Sequence, residues 1–322
     1  MGRLLHEWKG FDQFLSASST QRYLKKCYEK LDTSMSIDEL SYRNCYSFIY
    51  YLTHGKRHFD LCQHSPLELQ PVLLYYGMVQ LIKCCLLTVD PLYPESTALL
   101  AHGVTTRKRK KQNYLFLQDE IKVQRNGLFP YFSEQLFQME QLEGDKFQMK
   151  DLFSYVPELN ELSRQISGKE PLLEVEMDRN GKLFTFEDKV LDPLHMTASR
   201  FIQFLKQQAL PNEVDIRHEG SFFTLEMKEI NNKYRQLFRL TLDDKCYIPV
   251  TRDGYKPLHE VMVHYLLLYN LSMICRYETE WWGDLFHTFS SNDYPYISRF
   301  LSISRLKVPH MLMTYLEEKG MG

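Results

Sequence analysis

Leu173-Glu174-Val175-Glu176-Met177-Asp178-Arg179-Asn180-Gly181-Lys182-Leu183-Phe184-Thr185-Phe186 separates this chain from a purely helical one. Leu173, Val175 and Met177 alternate with Glu174, Glu176 and Asp178, the period of a strand with one wet face. Asn180-Gly181 between two such runs predicts a tight hairpin, in which both turn positions take positive φ. A second hairpin is expected from Phe222–Glu229 and Tyr234–Leu242, joined through Asn231-Asn232, with a short strand at Tyr247–Val250. Thr197–Gln208 reads as an amphipathic helix ended by Pro211. Residues 169–256 thus form an antiparallel β region of about five strands with an inserted helix.

On either side the period returns to that of a helix. Tyr23, Leu24, Cys27 and Tyr28 fall on one stripe. Ser36, with Glu39 three residues on, caps a helix carrying Leu40, Tyr46, Ile49 and Tyr50. Pro71 opens the helix Val72–Thr88, apolar around most of its circumference and hence central, and Asp90-Pro91 stops it. Pro257 is expected to begin a helix to about Glu280, and Pro309 a last helix to Gly320. The fold class is α+β: a mainly helical body formed by both ends of the chain (1–168 and 257–322) with the sheet inserted between them.

Composition bounds the function. The 322 residues carry 39 Lys and Arg against 41 Asp and Glu, a formal charge of -2, so a surface that coats nucleic acid throughout is excluded. Tyr (21) and Phe (20) are numerous while Gly (14) and Pro (13) are few, which favours long elements around a filled core. The seven cysteines include no C-x-x-C pair and sit among apolar residues, as reduced buried thiols of a cytoplasmic protein would. Met1–Gly10 lacks a signal peptide's apolar run, and Val72–Val89 and Val261–Cys275 read as buried helices, so no membrane is expected. No cofactor or metal motif is present.

Charge is segregated locally. His102 to Asn126 holds seven Lys or Arg against two acids, a net of +5, and Ser133 to Glu161 seven acids against two Lys, a net of -5. Arg107-Lys108-Arg109-Lys110-Lys111 follows the turn His102-Gly103. His102, Gly103, Thr105, Thr106, Arg107, Arg109 and Lys111, with Arg125 in support, are therefore candidate ligands of an anion, a nucleotide or nucleic-acid phosphate. The plain alternative is a solvated loop answered by the acidic segment. His54-Gly55 repeats the His-Gly motif before Lys56 and Arg57 and reads as a helix C-cap. Arg276, Glu278 and Trp281 form a possible second site, although Arg276 and Glu280 at i,i+4 could simply pair.

Catalytic signatures are sparse. The Arg–His spacing of helical, metal-independent ribonucleases of the HEPN type occurs at Arg57/His64, Arg252/His259 and Arg305/His310, and prolines interrupt the last two. A non-enzymatic regulatory or interaction protein binding an anionic ligand is the first expectation. Such a ribonuclease, and a protein–protein module docking its basic and acidic segments, in a dimer for example, are the alternatives.

The order of features resembles the YaaC-like family of bacterial proteins. The shared residues are Trp8, Phe14-Leu15-Ser16-Ala17, Thr20-Gln21, Leu24 and Tyr28; then Tyr76-Gly77, Lys83 and His102-Gly103. Leu267-Leu268, Asn270-Leu271-Ser272-Met273, Arg276-Tyr277-Glu278, Trp281, Phe300-Leu301 and Pro309 complete them. The resemblance spans nearly the whole chain on dispersed positions and brings no established activity. It implies a bacterial cytoplasmic protein, and a partner linked to purine metabolism, because members are often encoded beside inosine-monophosphate dehydrogenase.

Overall fold

The computed structural model describes residues 8–106, 114–208, 214–227, 237–289 and 291–321. Among these, chain order gives α1 (Ala17–Tyr28), α2 (Ile37–Gln63), α3 (Gln70–Leu86), β1 (Val104–Thr106), β2 (Glu120–Val123), α4 (Leu128–Phe137), β3 (Lys146–Gln148), α5 (Met149–Phe153) and α6 (Asn160–Ser167). There follow β4 (Leu172–Met177), β5 (Leu183–Glu187), α7 (Leu191–Leu194), α8 (Ala198–Gln208), β6 (Val214–Glu219), β7 (Phe222–Met227), β8 (Arg239–Leu240), β9 (Cys246–Pro249), α9 (Glu260–Tyr277), α10 (Thr279–Thr288) and α11 (Asp293–Met321). The α+β class with a helical body stands. The chain forms two compact units, one of Met1–Met149 with Val261–Gly322 and one of Lys150–Glu260.

In the first unit α3 is buried on most sides, and every residue of α9 from Val261 to Ser272 is buried. A helix that is apolar all round must be covered all round. Both chain ends supply the cover: Tyr23 of α1 donates to the Leu316 carbonyl of α11 at 2.8 Å, and the Cys85 thiol reaches the Leu312 carbonyl at 3.8 Å. Ser36 caps α2 through the Glu39 amide. The buried line of α2 runs Leu40, Asn44, Phe48, Leu52, Gly55, Phe59 and Cys62, while Tyr46 and Tyr50 stay exposed.

His54-Gly55 is not a C-cap; it lies inside α2, which continues to Gln63. A Cβ on Gly55 would sit 2.8 Å from Leu81 Cδ2, and one on Gly77 2.9 Å from His58 Cβ. These glycines are helical because α2 and α3 cross too closely there for a side chain. Pro309 likewise lies within α11 rather than at its start, and α9 begins at Glu260, beyond Pro257. A small antiparallel sheet in the order β1-β2-β3 completes this unit.

The second unit holds an antiparallel sheet in the order β6-β7-β5-β4-β9-β8. The quoted stretch is its β4–β5 hairpin, yet only Gly181 in the turn has a positive φ, of 66°. Asp178 closes the loop instead, its carboxylate accepting from the Lys182 and Leu183 amides at 2.7 and 2.9 Å. The second hairpin differs from expectation: β7 turns back onto β6 and pairs on its other side with β5. Asn231-Asn232 lies outside the described residues. Phe186, Phe201 and Phe223 fill the core with Leu205 of α8, and Phe184 stacks on Phe238 at 4.1 Å. One stretch among the described residues, Leu67–Leu86, is long and apolar enough to cross a membrane; most of it is buried in the protein.

Candidate functional site

His102 is held by two glycines pressed back to back. Gly103 has φ 78° and Gly127 φ 130°. A Cβ on Gly127 would lie 2.4 Å from the Gly103 nitrogen and Cα, and one on Gly103 2.5 Å from Pro130 Cδ, so only glycine fits either position. The contact brings the unpaired first-turn amides of α4 onto the preceding chain: Leu128 donates to the Ala101 carbonyl at 2.7 Å and Phe129 to the His102 carbonyl at 3.2 Å. Gln124 donates to the Gly103 carbonyl at 2.9 Å.

A closed set of hydrogen bonds then fixes the imidazole. Tyr265 of α9 donates to the His102 carbonyl at 2.8 Å, which uses its only proton. The Tyr75–Tyr265 hydroxyl contact of 2.9 Å therefore has Tyr75 as donor. With that proton spent, the Tyr75 oxygen can only accept from His102 Nδ1, 2.7 Å away. Nδ1 must carry the hydrogen and Nε2 must be the bare acceptor. Nε2 has no hydrogen-bond partner among the described residues. The Tyr269 ring lies 5.3 Å from the imidazole and that of Tyr75 5.4 Å. Burial drives both phenols of the pair well above the ordinary tyrosine range, so they act as hydrogen-bonding groups and not as acids.

Two cations border this cluster without carboxylate partners among the described residues. Lys83 is half-buried two turns along α3 from Tyr76, its ammonium 5.8 Å from the Tyr51 ring centre. Burial pulls its pKa down. Arg276 follows Tyr269 by two turns of α9. Its guanidinium donates to the Ser272 carbonyl at 3.1 Å and to the Tyr76 hydroxyl at 3.4 Å, and stacks on Tyr277 at 5.2 Å. His102 feels both: burial, then Arg276, then Lys83, lowers its pKa below the ordinary imidazole value. Near neutral pH the site thus presents a neutral, tautomer-fixed acceptor beside two positive charges and several tyrosine rings. It can take an anion, with a donor group of the same ligand meeting Nε2.

Other candidates fall elsewhere. Arg107, Arg109 and Lys111 lie outside the described residues. Thr105 and Thr106 stand in β1, Thr105 exposed; Gly103 serves chain packing; Arg125 is exposed in the turn before α4 without an ion pair among the described residues. The chain after the basic run is anchored: Asp293 accepts from the Phe116 and Leu117 amides at 2.9 and 3.1 Å, and Asp119 from Tyr114 and Asn270 at 2.7 and 3.0 Å. Arg276 joins His102 and forms no ion pair with Glu280, because α9 ends at Tyr277 and a new helix starts at Thr279. Trp281 is taken up in packing, donating to the Tyr114 carbonyl at 3.1 Å with its ring edge-on to Tyr114. The Glu278 amide closes α9 on the Ile274 carbonyl at 2.9 Å. Arg57 and His64 are both exposed on α2 and at its end, and His64 Nδ1 contacts the Asp60 carbonyl at 3.3 Å.

Sequence reasoning missed Tyr75, Tyr265 and Tyr269, which look like core aromatics at helical spacing. Lys83, a lone cation in an apolar helix, was the one available signal. The model of one protein family, the YaaC-like proteins, matches residues 12–316. No curated protein and no solved structure matches the chain.

Proposed function

The chain belongs to the YaaC-like family, and on that premise we propose that it is a regulatory protein of the cytoplasm that binds a phosphate-bearing ligand, a nucleotide free or within a nucleic-acid strand. The observation that carries the reading is the pair Lys83 and Arg276, cations without a carboxylate partner among the described residues and near enough to His102 to lower its pKa, together with a His102 Nε2 left free by the Tyr75 bond to Nδ1. Arg276 is exposed, whereas Lys83 is half-buried and its charge is weakened by burial, a cost that a visiting anion would offset. Tyrosine faces beside it suit a planar base. The residues Tyr76, Lys83, His102 and Arg276, dispersed in sequence, are also among those that carry the family resemblance.

A thermal-shift series with guanine, adenine and signalling nucleotides tests this. A ligand at 100 times its Kd stabilises by about 2.7 kcal/mol. Lys83→Met combined with Arg276→Gln is expected to remove that shift while the unliganded protein still melts cooperatively. Arg107→Glu with Arg109→Glu measures what the basic run adds. Absence of any nucleotide-dependent shift, or its persistence in the Lys83/Arg276 variant, rejects the site. A pull-down from native lysate tests for the purine-linked protein partner.

A further inference from the structure

We infer that His102 Nε2 is a general base and that the ligand it serves is single-stranded RNA, cleaved at a phosphodiester without a metal-bound nucleophile. The inference rests on the binding reading above and adds chemistry to it. A base for such a step needs an unprotonated nitrogen, a fixed orientation and no competing partner. The Tyr265–Tyr75–His102 chain supplies the first two, placing the hydrogen on Nδ1 and locking the ring through the bonds of 2.9 and 2.7 Å, and Nε2 has no hydrogen-bond partner among the described residues. Within an RNA strand the 2′-hydroxyl is the O–H placed next to a phosphodiester. The cations near His102 are Arg276, whose guanidinium reaches the hydroxyl of Tyr76 next to Tyr75 at 3.4 Å, and Lys83, and no carboxylate pairs with either among the described residues. Tyr277, 67% exposed and stacked by Arg276, offers a face for a base.

Nε2 takes the 2′-hydroxyl proton as the 2′-oxygen forms a bond to the adjacent phosphorus. The P–O5′ bond breaks, its electron pair leaves with O5′, and that oxygen takes a proton from water. The products are a 2′,3′-cyclic phosphate and a 5′-hydroxyl, and the imidazolium returns its proton to solvent. Arg276 and Lys83 face the non-bridging oxygens, where negative charge grows in the transition state. Tyr75 and Tyr269, whose rings pack against the imidazole, are neutral phenols.

The test uses the whole protein and an end-labelled single-stranded RNA, the same strand with 2′-O-methyl groups, and the DNA of equal sequence, all in EDTA. Cleavage of RNA alone to cyclic-phosphate ends is expected, with a rate already on its plateau at pH 7. His102→Gln is expected to lose about 100-fold or more in rate at saturating RNA, where weaker binding no longer matters. Binding of RNA without cleavage, cleavage of the 2′-O-methyl strand, or undiminished cleavage by His102→Gln overturns the catalytic inference and leaves the binding reading intact. Failure to bind any nucleotide or RNA overturns both.

Discussion

Tyr75 decides which nitrogen of His102 carries hydrogen, so its hydroxyl has a spectroscopic signature. In the wild-type protein 15N-detected NMR should report the Nδ1–H form. Tyr75→Phe removes the acceptor that Nδ1 needs, and the ring should shift toward Nε2–H, with stability lower by about 1–3 kcal/mol for the lost buried bond. An unchanged tautomer would refute the hydrogen-bond order. The same residue makes stability pH-dependent. The folded pKa of His102 lies below its unfolded value of about 6.5. As pH falls past that value the unfolded chain binds the proton first, so stability present above it is lost toward the lower folded pKa. Chemical denaturation between pH 7 and 5.5 should show this loss, and His102→Gln should decline less steeply there. The sequence offered His102-Gly103 plainly, because a His-Gly turn before a basic run stands out. It could not offer the partners, since Tyr265 lies 163 residues away and reads as one more aromatic of a buried helix.

Whole helices and strands show a similar limit. The β4–β5 hairpin and α3 were readable from period alone, because each is specified by residues next to one another. Gly55 and Pro309 misled because their positions answer to other elements: glycine to the approach of α3, proline to a helix long enough to hold it. Strand β6, Val214–Glu219, is not among the strands expected from the sequence; it alternates buried Val214 and Ile216 with exposed Asp215 and Arg217 and is completed by β7. The crossing of α2 and α3 yields a ranked prediction. Gly77→Ala drives a methyl group into His58 Cβ and the Phe59 ring, whereas Gly55→Ala meets the buried Leu81 side chain at 2.8 Å and, less closely, the Gly77 carbonyl at 3.2 Å. Overpacking costs about 1–3 kcal/mol, against a helix-propensity gain of roughly 1 kcal/mol from replacing glycine. Thermal melts should therefore place Gly77→Ala below Gly55→Ala.

For the molecule as a whole, the division into units governs which fragments can exist. Residues 150–260 own a core of buried aromatic and aliphatic side chains and should fold alone, with cooperative melting followed by circular dichroism. Residues 1–149 should not, because α3 would lose α9 and α11, and Tyr75, Cys85 and Tyr23 their partners. A cooperatively folded 1–149 fragment would contradict this. The interruption of one unit by the other also has a meaning in time. Tyr75 and Tyr265 are 190 residues apart, so at ~5–20 residues per second a ribosome delivers the second roughly 10–40 s after the first. During that interval the nascent α3, covered by α2 on one side, exposes the apolar surface that α9 and α11 later bury, a natural place for a chaperone to hold. The inserted sheet has meanwhile emerged and can fold. His102 acquires its tautomer last, and a message broken before the codon for Tyr265 yields a polypeptide with no site at all.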